Sequence, residues 1–224
     1  MRPSSIRSTS FAGVFVLLAS MGVAAAPAHA AKPIVLNHQP ARIAALTPRP
    51  GLDILYDQRD NPSGDFIDSN NAPGPDTTDS SGADGFIVPP GQIWTVEVVD
   101  VVQITFGRIV SERVRFYLDS GHGPGAVIAT IRNAPGHFVG EMLSIPLGAQ
   151  APTLPAGKYW VAVQGNSTGV LAWGQRTVQS LGPAAWENPR DGYRTDCETW
   201  EPLPTCVQGG GGGGDFMFAL EGVA

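Results

Sequence analysis

Residues that build metal and redox centres are scarce: the chain holds two cysteines and four histidines among 224 residues. No CxxC pair, no HExxH run and no Cys/His cluster with zinc-ligand spacing occurs. A thioredoxin-type redox motif, a zincin and a zinc finger are therefore excluded. Charge is scarce as well, at 15% of residues, and its balance is acidic, with a formal net charge of −6. A surface of that sign repels phosphate backbones and argues against nucleic acid as a partner. Beyond the first thirty residues no apolar run reaches spanning length, so no membrane span is expected once the amino-terminal segment is removed.

That segment carries its own signal. Arg2 and Arg7 form a positive start, Phe11 to Ala26 run without a charge, and Ala28-His29-Ala30 satisfies the small-x-small rule for cleavage. The pattern predicts a signal peptide over residues 1–30 and cleavage before Ala31. No cysteine follows the apolar run and the two arginines are not adjacent, which argues against a lipid anchor and a twin-arginine route. Cleavage removes two arginines and no acid, leaving 194 residues with 12 basic against 20 acidic side chains, a net of −8. The expected location is secreted or periplasmic. In such an oxidising compartment an even pair of cysteines nine positions apart, Cys197 and Cys206, reads as a disulfide.

The rest of the chain reads as one all-β domain. Residues 31–50 hold four prolines and no periodicity and are expected to form an extended leader. Residues 51–224 follow as a single antiparallel β-sandwich, jelly-roll-like, of about eight or nine strands. Leu52 to Tyr56 look like a first strand. Residues 57–84 are rich in Asp, Asn, Ser, Gly and Pro and are expected to form a long acidic loop. From Gly85 onward, short runs of β-branched and aromatic residues alternate with Gly and Pro, the spacing of a sandwich. In Arg113-Val114-Arg115-Phe116-Tyr117-Leu118 the apolar Val114, Phe116 and Leu118 share one face and the arginines the other, a period of two. A turn or two near Val178 to Leu181 is the one helical candidate. Gly209 to Gly214 reads as a flexible glycine-rich loop, since no strand-loop-helix context accompanies it. Gly165-Asn166-Ser167-Thr168-Gly169 matches a nucleophile elbow in letters, but a strand pattern follows it where that motif needs a helix. It reads as a hairpin turn, and no catalytic residue is assigned.

The order of pieces carries a resemblance. Ile54-Leu55-Tyr56-Asp57-Gln58 is followed by Ala83-Asp84-Gly85-Phe86-Ile87-Val88-Pro89 and Gly91-Gln92-Ile93-Trp94-Thr95-Val96. Then come Arg115-Phe116-Tyr117, Gly123-Pro124-Gly125-Ala126-Val127 and Leu154-Pro155-Ala156-Gly157-Lys158-Tyr159-Trp160-Val161. A Trp186-x-Asn188-Pro189 element and Phe218 to Gly222 close the series. From about residue 52 onward this resembles a group of secreted bacterial β-sandwich domains of jelly-roll-like appearance. The resemblance implies an extracellular sandwich without an established catalytic set.

Two candidate sites follow from residue chemistry. Hard oxygen ligands on a turn-rich backbone suit calcium, which makes Asp60, Asn61, Asp65 and Asp68 the candidate metal ligands. Trp94 and Trp160 stand among apolar neighbours and are expected in the core. Trp186, Tyr193 and Trp200 lie in the irregular segment around the cysteines and are candidates for stacking on a carbohydrate or contacting a cell-surface protein; capping one end of the sandwich is their competing role. The function expected is a non-catalytic binding or surface-interaction module. Its alternatives are a polysaccharide hydrolase using an acid pair and a structural part of an exported assembly. Amino-terminal sequencing of the exported protein is expected to begin at Ala31; a product that still starts at Met1 contradicts the signal-peptide reading.

Overall fold

The structure, a computed structural model, describes residues 35–37, 43, 45–72, 78–139, 142–167, 169–207 and 214–224. The expected signal peptide, much of the leader and nearly all of the glycine run lie outside the described residues. The rest is all-β. Fourteen strands follow one another, more than the eight or nine expected: β1 (Val35–Asn37), β2 (Asp53–Asp57), β3 (Pro62–Asp68), β4 (Asn70–Asn71), β5 (Ser81–Phe106), β6 (Ile109–Asp119) and β7 (Pro124–Ala134). After these come β8 (His137–Val139), β9 (Met142–Pro146), β10 (Thr153–Ser167), β11 (Val170–Arg176), β12 (Ala185–Glu187), β13 (Glu201–Pro202) and β14 (Phe218–Val223). The pairings are antiparallel apart from β10 with β4, which is parallel.

The strand excess comes mostly from segments whose letters favour turns. Residues 57–84 are not one irregular loop: Pro62–Asp68 forms β3 between β1 and β11, and Ser81–Asp84 opens β5. Tertiary pairing overrides local propensity here, because the polar side chains find partners inside the protein. Among the described residues helix is confined to one 3-10 turn, Gly148–Gln150, and one α-turn, Leu203–Cys206, which has Pro204 in its first turn, where proline is pre-organised. Residues 178–181 are bends and not the expected helix. The expected hairpin at Gly165–Gly169 is also corrected. Among the described residues β10 and β11 do not pair with each other; β10 lies between β5 and β6, whereas β11 lies between β3 and a different stretch of β5.

The 26-residue β5 organises this arrangement. Its first part pairs with β10 and β12, its middle with β9 and β14, and its end with β11. Between Val88 and Ile93 the chain bulges: β10 advances from Pro155 to Gly157 while β5 loops out Pro89 to Gln92. Two prolines cannot both donate to a ladder, and Gly91 takes a φ of 81°, so the letters of this stretch force the bulge.

One apolar cluster joins side chains from every major strand: Phe86 and Val99 of β5, Phe116 of β6, Val161 of β10, Trp173 of β11 and Phe218 of β14. Trp173 stacks on Phe216 at 4.6 Å between centroids. Gly82 passes beneath that pair, where a Cβ would lie 2.7 Å from the Phe216 ring. The layout, with opposite groups of strands contributing to one core, is consistent with a β-sandwich. Val114 and Phe116 enter this core as their alternation predicts, while Leu118, at the end of the strand, is exposed.

The Cys197–Cys206 disulfide is formed, with Cα atoms 5.8 Å apart, and it closes a short loop whose chain-entropy contribution is roughly 2 to 3 kcal/mol. The end of the expected leader also touches the domain. Ile43 packs on Phe66, Val102, Ala172 and Met217, and Arg49 reaches two buried acids, Asp100 at 3.3 Å and Glu221, as well as Ser144. Glu221 and Asp100 have no exposed surface, so removing the arginine leaves like charges facing each other out of water. Arg49→Met is expected to destabilise the domain by about 3 kcal/mol. Adding Asp100→Asn and Glu221→Gln should recover most of that loss in denaturant unfolding; an Arg49→Met variant as stable as the parent contradicts the clamp.

Candidate functional site

The residues proposed for metal binding do not converge. Asp65 and Asp68 are three positions apart on β3 and therefore leave opposite faces. Asp60 accepts hydrogen bonds from Arg176 and, at 2.9 Å, from Asn61. Asp68 is buried and accepts from Ser80 Oγ at 3.0 Å and from the Tyr193 hydroxyl. Among the described residues no group of three or more His, Cys, Asp or Glu side chains comes together as a metal site.

Trp186 and Tyr193 are corrected in the same way. Both are buried, at 0% and 7% exposure, so neither ring offers a face to a sugar. Trp186 donates from its indole nitrogen to the Asp68 carbonyl at 3.0 Å, and its ring lies 5.8 Å from that of Tyr193. Asn188 fixes the turn between them, accepting from the Tyr193 backbone at 3.0 Å. Asp68, Trp186 and Tyr193 thus form one structural cap, the role that competed with ligand contact. Trp200 alone of the three stays half-exposed, and it marks a different place.

That place is the outer face of β6 and β10. Because Val114 and Phe116 turn inward, Arg113, Arg115 and Tyr117 must turn outward. Register sets Gln164 opposite Arg113, Ala162 opposite Arg115 and Trp160 opposite Tyr117. Trp200 meets the Tyr117 ring edge-on at 5.6 Å. The Arg115 guanidinium lies 5.7 Å from the centre of the same ring and donates to Gln164 at 2.9 Å and Ser81 at 3.2 Å. It also pairs with Glu187 of β12 at 3.6 Å. Beyond Trp160, Lys158 lies over the indole at 5.3 Å and pairs with Asp119 at 3.2 Å.

Three polar atoms on this face are buried yet make no hydrogen bond among the described residues: the Tyr117 hydroxyl and the Nε atoms of Arg113 and Arg115. Burial without a partner is costly for each. Tyr117 is 2% exposed, and burial raises its ionisation well above the usual phenol value. Burial, followed by the charges of Arg115 and Arg132, lowers the Arg113 pKa. Burial pushes Glu187 up to about 7 against the opposing pull of Arg115. Sequence reasoning missed Arg113, Arg115, Tyr117, Gln164 and Glu187 as a group. The outward parity of the β6 residues was visible, but strand neighbours are not.

A second concentration of acid lies inside the protein. Asp84 accepts from the backbone of Phe216 and Gly85, both at 2.6 Å, and from Gln58 at 2.8 Å. Its pKa is raised by burial and by the nearby Asp215 charge. Asp215 accepts from the Ser180 backbone at 2.6 Å and faces Arg176 at 3.4 Å, and burial raises it to about 6. With exposures of 2% and 0%, the two carboxyls anchor the entry to β14 and do not flank an open cleft of the kind that glycoside hydrolysis requires.

No protein-family model, curated protein or solved structure matches the chain. Among the described residues no helix is long and apolar enough to cross a membrane.

The carboxyl shifts make stability depend on pH with a definite sign. Glu187 and Asp215 hold protons more tightly folded than unfolded, so the stability linked to them is complete below the ordinary carboxylate range. It is lost as pH rises through about 6 for Asp215 and about 7 for Glu187. Melting temperature is expected to fall between pH 5 and pH 8. Glu187→Gln should flatten the upper part of that fall, and a parent profile rising toward pH 8 contradicts the assignment.

Proposed function

We propose that this protein is an exported, non-catalytic binding module, secreted or periplasmic, of the jelly-roll-like β-sandwich type that its ordered motifs resemble. Its ligand is a carbohydrate, held on the outer face of β6 and β10. The observation that carries the reading is the ring of Trp200, which meets Tyr117 edge-on yet stays partly exposed, beside the half-buried Arg113 on the same face. A sugar offers what both can use, an apolar ring face for the indole and hydroxyl oxygens for the guanidinium.

A structural role in an exported assembly is the second reading, and one observation favours it. β7 pairs with β6 alone and β8 with β9 alone among the described residues. These edges expose Val127, Ile128, Phe138 and Val139, side chains suited to a protein partner. The hydrolase reading has less support, because Asp84 and Asp215 are buried and occupied by hydrogen bonds.

Affinity electrophoresis of residues 31–224 through a panel of embedded polysaccharides tests the first reading. At least one polysaccharide should retard the protein, and Trp200→Ala should weaken that retardation by roughly tenfold, the worth of one aromatic contact. Migration unaffected by every polysaccharide, together with a concentration-dependent oligomer in size exclusion, would replace it with the assembly reading.

A further inference from the structure

We propose that the turn between β5 and β6, residues 106–110, is a membrane-contact tip that docks on an anionic lipid surface. The sequence sets Phe106-Gly107-Arg108-Ile109-Val110 where β5 passes into β6. Phe106 is 51% and Val110 69% exposed, and Arg108 between them is exposed as well. Ile109 turns back to pack against the core and pairs with Ser167 of β10. Backbone packing holds the turn. Gly107 has a φ of 78°, a Cβ on it would lie 3.0 Å from the Gly169 Cα, and a Cβ on Gly169 would lie 2.2 Å from the Phe106 carbonyl oxygen. Two glycines in contact leave the tip no room to sink, so the apolar pair stays in water, at a cost that an apolar surroundings would remove.

Charge singles out the same region. Arg49, Arg59, Arg115, Lys158, Arg176 and Arg190 are ion-paired, whereas Arg108, Arg113 and Arg132 make no ion pair among the described residues. Arg108 stands in the turn, Arg113 follows on β6, and Arg132 lies close to Arg113 on β7. Between Val101 and Gly140 the sequence holds two acids, Glu112 and Asp119. Glu112 is buried and accepts from the Gly136 amide at 2.6 Å, and Asp119 pairs with Lys158 at 3.2 Å. An acidic protein thus keeps one exposed turn free of acid and gives it a cation flanked by two apolar side chains. That pair falls far short of the roughly 800 Å² per partner that a specific protein interface buries. At a bilayer it suffices, because a few apolar side chains entering the headgroup region add to the attraction of cations for anionic lipid. The remote acids that make the whole chain negative weigh little there, since salt screens their field beyond about 8 to 10 Å.

The mature protein, residues 31–224, is sedimented with vesicles of phosphatidylglycerol and phosphatidylcholine mixed, or of phosphatidylcholine alone. The mixed vesicles should carry it down and the neutral ones should not. Arg108→Gln should weaken binding by about fivefold, the share of one cation at an anionic surface, and Phe106→Ser by about tenfold, the share of one apolar side chain. Ile93→Ser removes a side chain that is 59% exposed opposite Pro155, at the other end of β10 from Ser167, and should have no effect. The fluorescence added by Phe106→Trp should be quenched by brominated phosphatidylglycerol. Equal binding to both kinds of vesicle, or binding to neither, overturns the proposal. Vesicle binding that Phe106→Ser leaves unchanged, with the Phe106→Trp fluorescence unquenched, overturns it as well, because contact is then made elsewhere. Soluble polyglutamate that binds as tightly as the mixed vesicles, with Phe106→Ser affecting neither, replaces the lipid surface with an acidic polypeptide. The carbohydrate reading of the Trp200 face stands or falls separately from all of these outcomes.

Discussion

Backbone pairing along β5 is the constraint on which the rest of the structure depends. A buried strand must have its N–H and C=O groups satisfied, and over Ser81–Phe106 that requirement is met by five other strands. β10 and β12 meet its first part, β9 and β14 its middle and β11 its end. Its bulge at Pro89 to Gln92 interrupts the ladder with β10, and a second shift of register falls between Val96 and Val98 against β14. Every other element is positioned by reference to this strand, including β6, which reaches it through β10 and carries the candidate site on its outer side.

The second constraint is the disposal of acid. Asp68, Asp84, Asp100, Asp215 and Glu221 are buried, and each is answered by specific groups: Tyr193 and Ser80, the Phe216 and Gly85 amides with Gln58, Arg49, the Ser180 amide with Arg176, and Arg49 again. Such knots tie together segments distant in sequence, and they are strong only when complete. They explain why a leader of irregular composition is held against the sheet and why the approach to β14 takes a single path. The outer face of β6 differs from them. There the Tyr117 hydroxyl and the Nε atoms of Arg113 and Arg115 are buried without a hydrogen-bond partner among the described residues, beside the partly exposed ring of Trp200.

Legibility in the sequence followed the physics of each signal. Period-two alternation foretold that Val114 and Phe116 face the core, because pleating decides it, but not that Leu118 at the end of the strand is exposed. Cysteine arithmetic foretold the disulfide. Turn-forming letters misled over Pro62–Asp68, since the strand pairs with β11 more than a hundred residues away and Asp68 is held by the equally distant Tyr193 hydroxyl. Trp186 and Tyr193 were legible as an end cap or a ligand contact, and only their burial against Asp68 separates the two. The Gly165–Gly169 turn was misread as a hairpin because a local pattern does not say which of several strands the next one will join.

The amino-acid sequence by itself determined the all-β class, the alternation of faces and the pairing of the two cysteines, since these follow from local periodicity and from there being a single possible partner. Tertiary structure alone decided that β5 runs through both groups of strands and that the acidic segment pairs as β3. It alone brought Arg113, Arg115, Tyr117, Glu187 and Trp200 onto one face. The reason is physical: those outcomes depend on which distant groups satisfy a buried backbone or a buried charge, and no window along the chain contains both members of such a pair.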